Sequence, residues 1–287
     1  MSRRWLLLIP AGLLLAVVVV AVVLLRGSTT TKISVDEAVG QFRDTAVPTS
    51  ASTISATTTP AATTTTAAPT TAARAITTTT VPIPPVARPE TGVYVYTTTG
   101  FDSVDALTGA RHNFPATTTV TISAAGCGVD VRWNTVRERW DEWQWCPQGR
   151  GIETVAYRSF HQFFGVSSGT NYQCAGDPLP LAGRPGSTWT IVCRQGDSDT
   201  SRFIGHLIGR QPVKVGTTSV NALRIRYDVA VSGVSAGTKF IDRWIRPEDG
   251  LVLREDSGTD TVQSTALGKV HYRERYTIVL QSLVPRR

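Results

Sequence analysis

Residues 220–231 read VNALRIRYDVAV, a stretch in which apolar side chains alternate with charged ones. Successive side chains of a β-strand point to opposite faces, so this alternation predicts a strand with one buried and one solvated face. The face expected to be buried carries Leu223, Ile225, Tyr227, Val229 and Val231, and the other carries Arg224, Arg226 and Asp228. Residues 271–281 repeat the pattern, with Tyr272, Tyr276, Ile278 and Leu280 opposite His271, Arg273, Arg275 and Thr277. Both stretches indicate an antiparallel sheet that covers a core on one side.

A period of two recurs across residues 91–287. The runs at 93–96 and 117–122 are rich in β-branched or aromatic residues and are bounded by turn formers. Turn sequences at 232–237 and 246–250 separate further strands. Residues 150–164 are the best candidate for a helix and fit a strand equally well. We therefore predict a mainly β domain, an antiparallel meander that forms a sandwich, a barrel or a curved half-barrel.

Four cysteines lie in this domain: Cys127, Cys146, Cys174 and Cys193. An even number in an exported domain is typical of disulfides, which persist in oxidising compartments. The separation within each neighbouring pair is 19 residues, which favours Cys127–Cys146 and Cys174–Cys193 among the three possible pairings. Zinc sites usually show C-x-x-C spacing or nearby His ligands, which this sequence lacks, so neither a metal site nor a cofactor is predicted.

The N-terminal sequence predicts a membrane anchor. Residues 5–25 contain no charged residue and are long enough to cross a hydrocarbon core of about 30 Å as a transmembrane helix. The run ends at Leu25 without the small-residue cleavage site of a secretory signal, which favours a signal anchor. Arg3 and Arg4 precede it, so the positive-inside rule places residues 1–4 in the cytoplasm and everything after Arg26 outside the cell membrane.

Two segments connect the anchor to the β domain. Residues 26–44 form a juxtamembrane segment, in which Ser34 and Glu37 match a capping box and predict a short helix at 34–44. One face of that helix carries Val35, Ala38, Val39 and Phe42. We expect it either to dock on a partner or the lipid surface, or to be only marginally stable alone. Residues 45–90 are rich in Thr, Ala and Pro, a composition typical of a disordered stalk.

A cluster of tryptophans supplies the candidate ligand surface. Trp140, Trp143 and Trp145 lie inside the first cysteine loop. Because strand side chains alternate, we expect Trp143 and Trp145 to share one face and Trp140 to lie opposite. The alternative role is structural, since aromatic side chains packed on disulfides commonly anchor a small β core.

Catalytic patterns are weak in this sequence. Residues 165–169 read GVSSG and match G-x-S-x-G, which makes Ser167 a candidate nucleophile of a hydrolase. That motif works at a strand–turn–helix junction, and no helical pattern follows Ser167. Asp141 and Glu142 are adjacent, so on a strand they face opposite sides and cannot act together on one bond. No catalytic residue is therefore assigned.

The basic composition does not indicate nucleic-acid binding. The formal net charge is +7 and the isoelectric point is about 9.5. The basic residues are dispersed among the strands and do not form the patch or run of a nucleic-acid binder. A mildly basic outer domain suits anionic envelope polymers and lipid headgroups instead.

Short segments carry a resemblance to known proteins. They are SVDEA at 34–38, GVY at 92–94, RHNFP at 111–115, GCG at 126–128, and WIRP at 244–247 with GL at 250–251. In these segments the chain resembles a group of uncharacterised single-pass envelope proteins of GC-rich bacteria. Its C-terminal meander also resembles the half-barrel of outer-envelope lipoprotein carriers. This second resemblance implies a lipid-facing cavity, although the helices that close such cavities are not predicted here.

An anchor, a stalk and a disulfide-stapled β domain without a catalytic set predict a membrane-anchored, extracytoplasmic, non-enzymatic module of the bacterial cell envelope. Its partner would be a lipid, a glycan or a protein. The alternative function is an envelope hydrolase that uses Ser167. A third function is that of an assembly subunit, whose 34–44 helix recruits a membrane partner.

Overall fold

The computed structural model describes residues 30–45, 86–106, 109–265 and 268–287. The predicted anchor at 5–25 and cytoplasmic residues 1–4 lie outside these ranges, as does most of the Thr-rich linker. Within these ranges no helix is both long and apolar enough to cross a membrane.

The described part of the chain contains one helix and fourteen strands. Helix α1 spans Val35–Thr45. The strands are β1 Gly92–Val104, β2 Ala110–Asn113, β3 Thr117–Ala125, β4 Gly128–Val136, β5 Arg139–Gln148, β6 Gly151–Phe163, β7 Val166–Gly176, β8 Leu179–Pro180, β9 Thr188–Gln195, β10 Asp199–Val215, β11 Thr218–Gly233, β12 Ser235–Ile245, β13 Val252–Thr265 and β14 Gly268–Leu280. Residues 150–164, which fitted a helix or a strand, thus form β6.

The sheet closes on itself through its first and last strands. β1 pairs with β3 on one side and with β14 on the other, where Tyr96 lies opposite Leu280 and Val104 opposite Tyr272. The short strands β2 and β8 pair only with the ends of β1 and β6. The other twelve strands form a closed antiparallel barrel in which neighbours in sequence are neighbours in space. The barrel is thus confirmed among the three predicted architectures, and the sandwich and the half-barrel are wrong.

The alternation read from the sequence is confirmed on β11 and β14. Leu223 is buried inside the barrel, whereas Arg224 lies on the outer face. Tyr276 and Ile278 are likewise buried on the inner face of β14. Glu274 departs from the apolar pattern, because it also points inward and is 1% exposed. A carboxylate therefore occupies a core position of this strand.

The two ends of the barrel differ. At one end, the segment between β7 and β9 and the loop between β12 and β13 bury Leu181 and Leu251 in the apolar core. The opposite end is bordered by the hairpin turns that follow β4, β6, β9 and β11. We call this second end the mouth, and the first the closed end.

Both disulfides favoured by the cysteine spacing are confirmed. Cys127 bonds to Cys146 on β5, and Cys174 bonds to Cys193, which lies directly opposite it on β9. In the chain-entropy account, a disulfide that closes a loop of this length stabilises the folded state by about 3 kcal/mol. The barrel therefore depends on an oxidising compartment for its full stability.

Helix α1 is confirmed, with bounds one residue later than predicted. The backbone amide of Glu37 donates a hydrogen bond to Ser34 Oγ at 3.0 Å, which caps the N-terminus of the helix. The Glu37 carboxylate does not return to Ser34, because it accepts a hydrogen bond from Arg137 at 2.7 Å. Only the Ser34 half of the predicted capping box is therefore formed. Glu37, the other half, instead connects the helix to the barrel through Arg137.

The apolar face of α1 packs on the outer face of the barrel. Ala38 and Val39 are buried against Val93 of β1, with Val35 and Phe42 partly buried beside them. The four predicted face residues are therefore correct. Their partner is the protein's own barrel, so this face is not presented to another protein or to lipid.

Residues 30–45 are attached to the barrel at both ends. The Arg137 amide donates to the Thr31 carbonyl oxygen at 3.0 Å, and the Thr31 amide donates to Glu138 Oε2 at 2.9 Å. At the helix C-terminus, Arg43 donates to the carbonyl oxygen of Arg287 at 2.6 Å. Because 137–138 is the turn between β4 and β5, the segment begins at the mouth.

We expect Gly100→Ala to weaken the seam between β1 and β14. Gly100 has a φ of 149°, and a Cβ atom there would lie 2.3 Å from the Arg275 carbonyl oxygen and 2.7 Å from Tyr276 Cα. The β14 backbone would have to move, at a cost of at least about 2 kcal/mol. The exposed neighbour Thr99→Ala is the matched control and should cost less than about 0.5 kcal/mol. Denaturant unfolding compares the two, and equal stabilities would contradict the closed seam.

Candidate functional site

The mouth half of the barrel contains a cavity of about 260 Å³. We call it the mouth cavity and define it by six lining residues: Arg139, His161, Ser168, Lys239, Thr259 and Tyr272. They come from six different strands, so barrel closure is needed to bring them together. A second cavity, in the closed half and lined by side chains that include Tyr96 and Trp143, measures only about 40 Å³, room for no more than a few water molecules.

Arg139 lies between two carboxylates at the floor of the mouth cavity. Its Nη2 donates to Asp141 Oδ2 at 2.5 Å, and its Nε donates to Glu274 Oε1 at 3.0 Å. The Tyr157 hydroxyl donates to the second oxygen of Asp141 at 2.8 Å. The three charged side chains are at most 4% exposed. We call Arg139, Asp141 and Glu274 the ion network.

Burial and charge compete in setting the pKa values of the ion network. Burial alone would lower the pKa of Arg139, but the charges of Asp141 and Glu274 outweigh it and hold that pKa well above its usual value. Burial would raise the pKa of Asp141, but the charges of Arg139 and Lys239 outweigh it and hold that pKa well below its usual value. Arg139 and Asp141 are therefore both ionised at neutral pH.

An ionised network inside a barrel is costly to form. Transfer of an ion from water into a protein interior costs several kcal/mol, and apolar replacements of similar volume are often as stable or more so. Stability alone therefore does not account for the ion network. Buried groups with strongly shifted pKa values cluster at functional sites, which makes this floor the strongest candidate site in the described part of the chain.

Several buried polar atoms of the cavity wall have no hydrogen-bond partner among the described residues. They are Arg139 Nη1, His161 Nδ1, Gln195 Oε1, Thr259 Oγ1 and Tyr272 OH. Each such atom costs about 1–3 kcal/mol if it is left without a partner. Lys239 also has no hydrogen bond or ion pair within the described ranges, and its Nζ lies 5.7 Å from the centre of the Tyr157 ring. These groups are available to a ligand or to water.

A second buried cluster holds His161 beside the cavity. His112 Nδ1 and Asp102 Oδ1 are 2.9 Å apart, and both side chains are fully buried. His161 Nδ1 lies 3.9 Å from Asp102 Oδ2, beyond hydrogen-bond distance. Burial raises the pKa of Asp102, but the hydrogen bond with His112 and the nearby His161 outweigh it and lower that pKa. Phe163 stacks on His112 at 4.4 Å and completes the cluster.

The three tryptophans proposed as a ligand surface do not form one surface. Trp143 and Trp145 point into the barrel, and Trp143 stacks on Tyr157 at 4.1 Å. Trp140 lies on the outer face, where the Arg132 guanidinium is 3.9 Å from its ring centre. The predicted alternation is correct. As a consequence, Trp143 lines the small cavity of the closed half and contacts the mouth cavity only through Tyr157, and Trp140 faces a different side of the sheet.

Ser167, the candidate nucleophile, does not line the mouth cavity. Residues 165–169 form a hairpin turn and the start of β7, so the strand–turn–helix junction of a nucleophile elbow is absent there. Ser167 Oγ accepts a hydrogen bond from Gln162 at 3.2 Å. The next residue, Ser168, is the one that lines the cavity. This geometry offers no support for a hydrolase, and the described residues contain no group of three or more potential metal ligands.

The sequence reading did not single out Arg139, Lys239 or Glu274. Glu274 could have been found, because it takes an inward position between Tyr272 and Tyr276 on an alternating strand. Buried carboxylates are rare unless they are paired, so this position signals an ion network. No local signal identifies Arg139 as the partner, since it lies 135 residues earlier in the chain.

Comparisons with known proteins identify no family for this chain. No protein-family model matches it, and no curated protein does. Among solved structures, the hypothetical lipoprotein YmcC from Escherichia coli K12 aligns with a TM-score of 0.30 and 11% identity, over 68% of this chain and 85% of that one. An exported protein with a YmcC-like fold from Bacteroides fragilis aligns with a TM-score of 0.29 and 9% identity, over 69% and 97%. Alignments at this level establish neither a shared fold nor a shared function, and the resemblance to lipoprotein carriers is not confirmed.

We expect Arg139→Met to destabilise the fold by about 3–5 kcal/mol, because it leaves two carboxylates buried without a counter-ion. The triple variant Arg139→Met, Asp141→Leu, Glu274→Leu removes all three charges and should recover most of that loss. Denaturant unfolding of both variants measures the difference. A triple variant no more stable than the single one would show that packing, and not charge, dominates at this position.

The lowered pKa of Asp141 predicts a specific dependence of stability on pH. Its ionised form is favoured by folding, so its contribution is complete above the unfolded-state pKa of about 4 and is lost as the pH falls below that value. Asp141→Asn cannot titrate. The stability gap between wild type and this variant should therefore be widest near pH ~7 and narrow below pH ~4. Thermal unfolding across this pH range measures the stability difference. The exposed Asp197→Asn is the control. A stability difference that does not change with pH would mean that Asp141 is not ionised in the folded protein.

Proposed function

We propose that this protein is a non-enzymatic binding module of the bacterial cell envelope that holds its ligand in the mouth cavity. The observation that carries the proposal is the set of unpartnered buried polar atoms on the cavity wall, above all Arg139 Nη1. A barrel under selection for stability alone would leave no buried polar atom of this wall without a partner; the buried pair of Arg243 and Glu255 deeper in the barrel, for comparison, is bonded together and also accepts from Tyr276. The polar wall is better explained by a ligand that completes its hydrogen bonds.

Two independent features support an extracytoplasmic, membrane-anchored location. The uncharged run at 5–25 follows Arg3 and Arg4, which favours a single span with a cytoplasmic N-terminus. The barrel after it carries two disulfides, and disulfides persist in oxidising compartments. Both features favour the same side of the membrane for the barrel.

The size of the cavity restricts the ligand. At about 260 Å³, the mouth cavity is slightly smaller than the roughly 300–1,000 Å³ of most small-molecule sites. The cavity in the closed half, at about 40 Å³, is too small for an acyl chain. We therefore favour a compact polar group as the bound part of the ligand, in place of the lipid chain implied by the resemblance to lipoprotein carriers.

The alternative functions have less support. Ser167 lacks the surroundings of a nucleophile, because its hydroxyl contacts Gln162 on a hairpin. Recruitment of a membrane partner by the 34–44 helix would need a free apolar face, whereas Ala38 and Val39 pack on Val93. A binding module is the function that uses the cavity.

We expect a ligand to co-purify with the full-length protein from its own membranes. Native mass spectrometry before and after organic extraction should show an added mass that extraction removes. Ser168→Trp should abolish this mass, because Ser168 lines the cavity. Ser167→Trp, the same change one residue earlier and outside the cavity lining, should retain it. A bare mass in the wild type, or an added mass that Ser168→Trp keeps, would contradict the proposal.

A further inference from the structure

We infer that the mouth cavity binds an anionic group, a phosphate or a carboxylate, carried by a ligand at the membrane surface. This inference rests on the proposed function and names the chemistry of its ligand. It is carried by two observations: the excess of uncommitted donors on the cavity wall, and the attachment of the chain near residue 31 to the rim of the mouth.

The uncommitted groups of the mouth cavity are mainly hydrogen-bond donors, and two of them are cationic. Arg139 Nη1 and Lys239 Nζ can only donate, and neither has a hydrogen-bond partner among the described residues. The buried Tyr272 hydroxyl can donate as well. The Asp141 carboxylate is already engaged, since Arg139 and Tyr157 donate to its two oxygens.

Acceptors on the wall are fewer or already in use. Glu274 Oε1 accepts from Arg139, and Asp199 Oδ1 accepts from the Ser235 amide at 2.9 Å. Gln195 Oε1 is an unpartnered acceptor, but it carries no charge. Lys239 acts on Asp141 through its charge but has no direct ion pair of its own within the described ranges, because Asp141 is paired with Arg139. An anionic group on a ligand would supply that pair.

A phosphate or carboxylate meets this need better than a neutral group. Its oxygens accept from Arg139 and Lys239 in charge-assisted hydrogen bonds, which are about twice as strong as neutral ones. A neutral sugar would satisfy the hydroxyl groups but would leave Lys239 without a direct ion pair. The aromatic walls formed by Tyr157 and Phe203 suit a less polar segment next to the anionic group.

The chain holds the mouth close to the proposed anchor. Thr31 is hydrogen-bonded to the turn between β4 and β5 at the mouth. From Leu25, the last residue of the proposed span, to Thr31 the chain covers at most about 22 Å even when fully extended. This reach is shorter than strand β1, whose 13 residues extend about 43 Å. The Thr-rich linker follows α1 in sequence, so it does not lengthen this connection, and the mouth is the end of the barrel nearer the membrane.

The orientation is tested with the full-length protein in phosphatidylglycerol nanodiscs. All four native cysteines are in disulfides, so one introduced thiol can be labelled selectively. A fluorophore on Val234→Cys, in the exposed turn at the mouth, should be strongly quenched by a lipid-attached quencher. The same label on Thr217→Cys, in the turn at the closed end, is the matched control and should be little affected. Equal or reversed quenching would overturn the orientation.

The ligand chemistry is tested with Lys239→Gln in nanodiscs that contain equal amounts of phosphatidylglycerol and phosphatidylcholine. Native mass spectrometry should show that the wild type retains phosphatidylglycerol in preference to phosphatidylcholine, and that Lys239→Gln weakens retention about tenfold or more. The exposed Lys214→Gln on the outer face of β10 is the matched control and should behave as wild type. Lys239 makes no hydrogen bond or ion pair within the described ranges and acts on the fold only through its charge on Asp141 and its contact with Tyr157, so its loss should lower the melting temperature by only a few degrees. Ser168→Trp provides an independent block of the cavity.

A second arm separates a lipid headgroup from a free anion. Calorimetry measures binding of glycerol 3-phosphate to the protein in phosphatidylcholine nanodiscs. Retention of phosphatidylglycerol that depends on Lys239 supports the headgroup as the source. Binding of glycerol 3-phosphate without lipid retention would overturn the claim that the bound anion belongs to a membrane lipid, and would support the claim that the cavity binds an anion. If neither binds, the anionic ligand is overturned, and a co-purifying neutral mass lost in Ser168→Trp would still support the mouth cavity as a binding site.

Discussion

The pairing of β1 with β14 is the constraint on which this structure depends. It joins Gly92–Val104 to Gly268–Leu280 and leaves the ring without a free edge, which would otherwise expose unpaired backbone groups. Once the ring is closed, one face of each of the twelve strands turns toward a shared interior. Asp102, Arg139 and Glu274 come from three distant parts of the sequence and meet only because of this closure. The candidate site is therefore a consequence of topology as much as of the residues that form it.

The interior is divided into two halves with different energetic roles. In the closed half, Leu251 and Leu253 are at most 1% exposed, and burial of each such side chain stabilises the fold by about 1.5–3 kcal/mol. In the mouth half, the ion network and the unpartnered polar atoms oppose folding. The two disulfides and the apolar side chains of the closed half offset this cost. Such a division is what a binding protein needs, because the stable half allows the other half to keep groups that only a ligand satisfies.

Local features could be predicted from the sequence, whereas features that depend on contacts distant in sequence could not. The alternation around Leu223, the capping box at Ser34 and the equal cysteine spacing each report on residues close together in the chain. The alternation and the disulfide pairing were correct, and the capping box formed in its Ser34 half only. Nothing near Tyr96 in the sequence identifies β14 as the partner of β1. The sequence therefore did not decide whether the sheet closes into a barrel. The G-x-S-x-G motif at Ser167 misled because its meaning depends on a following helix. Asp141 and Glu142 were predicted correctly to face opposite sides of the sheet. The ion pair of Asp141 with Arg139 was not predicted, because no local sequence pattern indicates it.

A crystal structure of the protein isolated from its own membranes, without organic extraction, would test this interpretation most directly. We predict electron density in the mouth cavity for a compact anionic group, with oxygens about 2.7–3.2 Å from Arg139 Nη1 and Lys239 Nζ. A cavity that contains only ordered water, with Lys239 turned away from Arg139 into solvent, would contradict it. In that case the ion network would have to be explained by folding specificity alone.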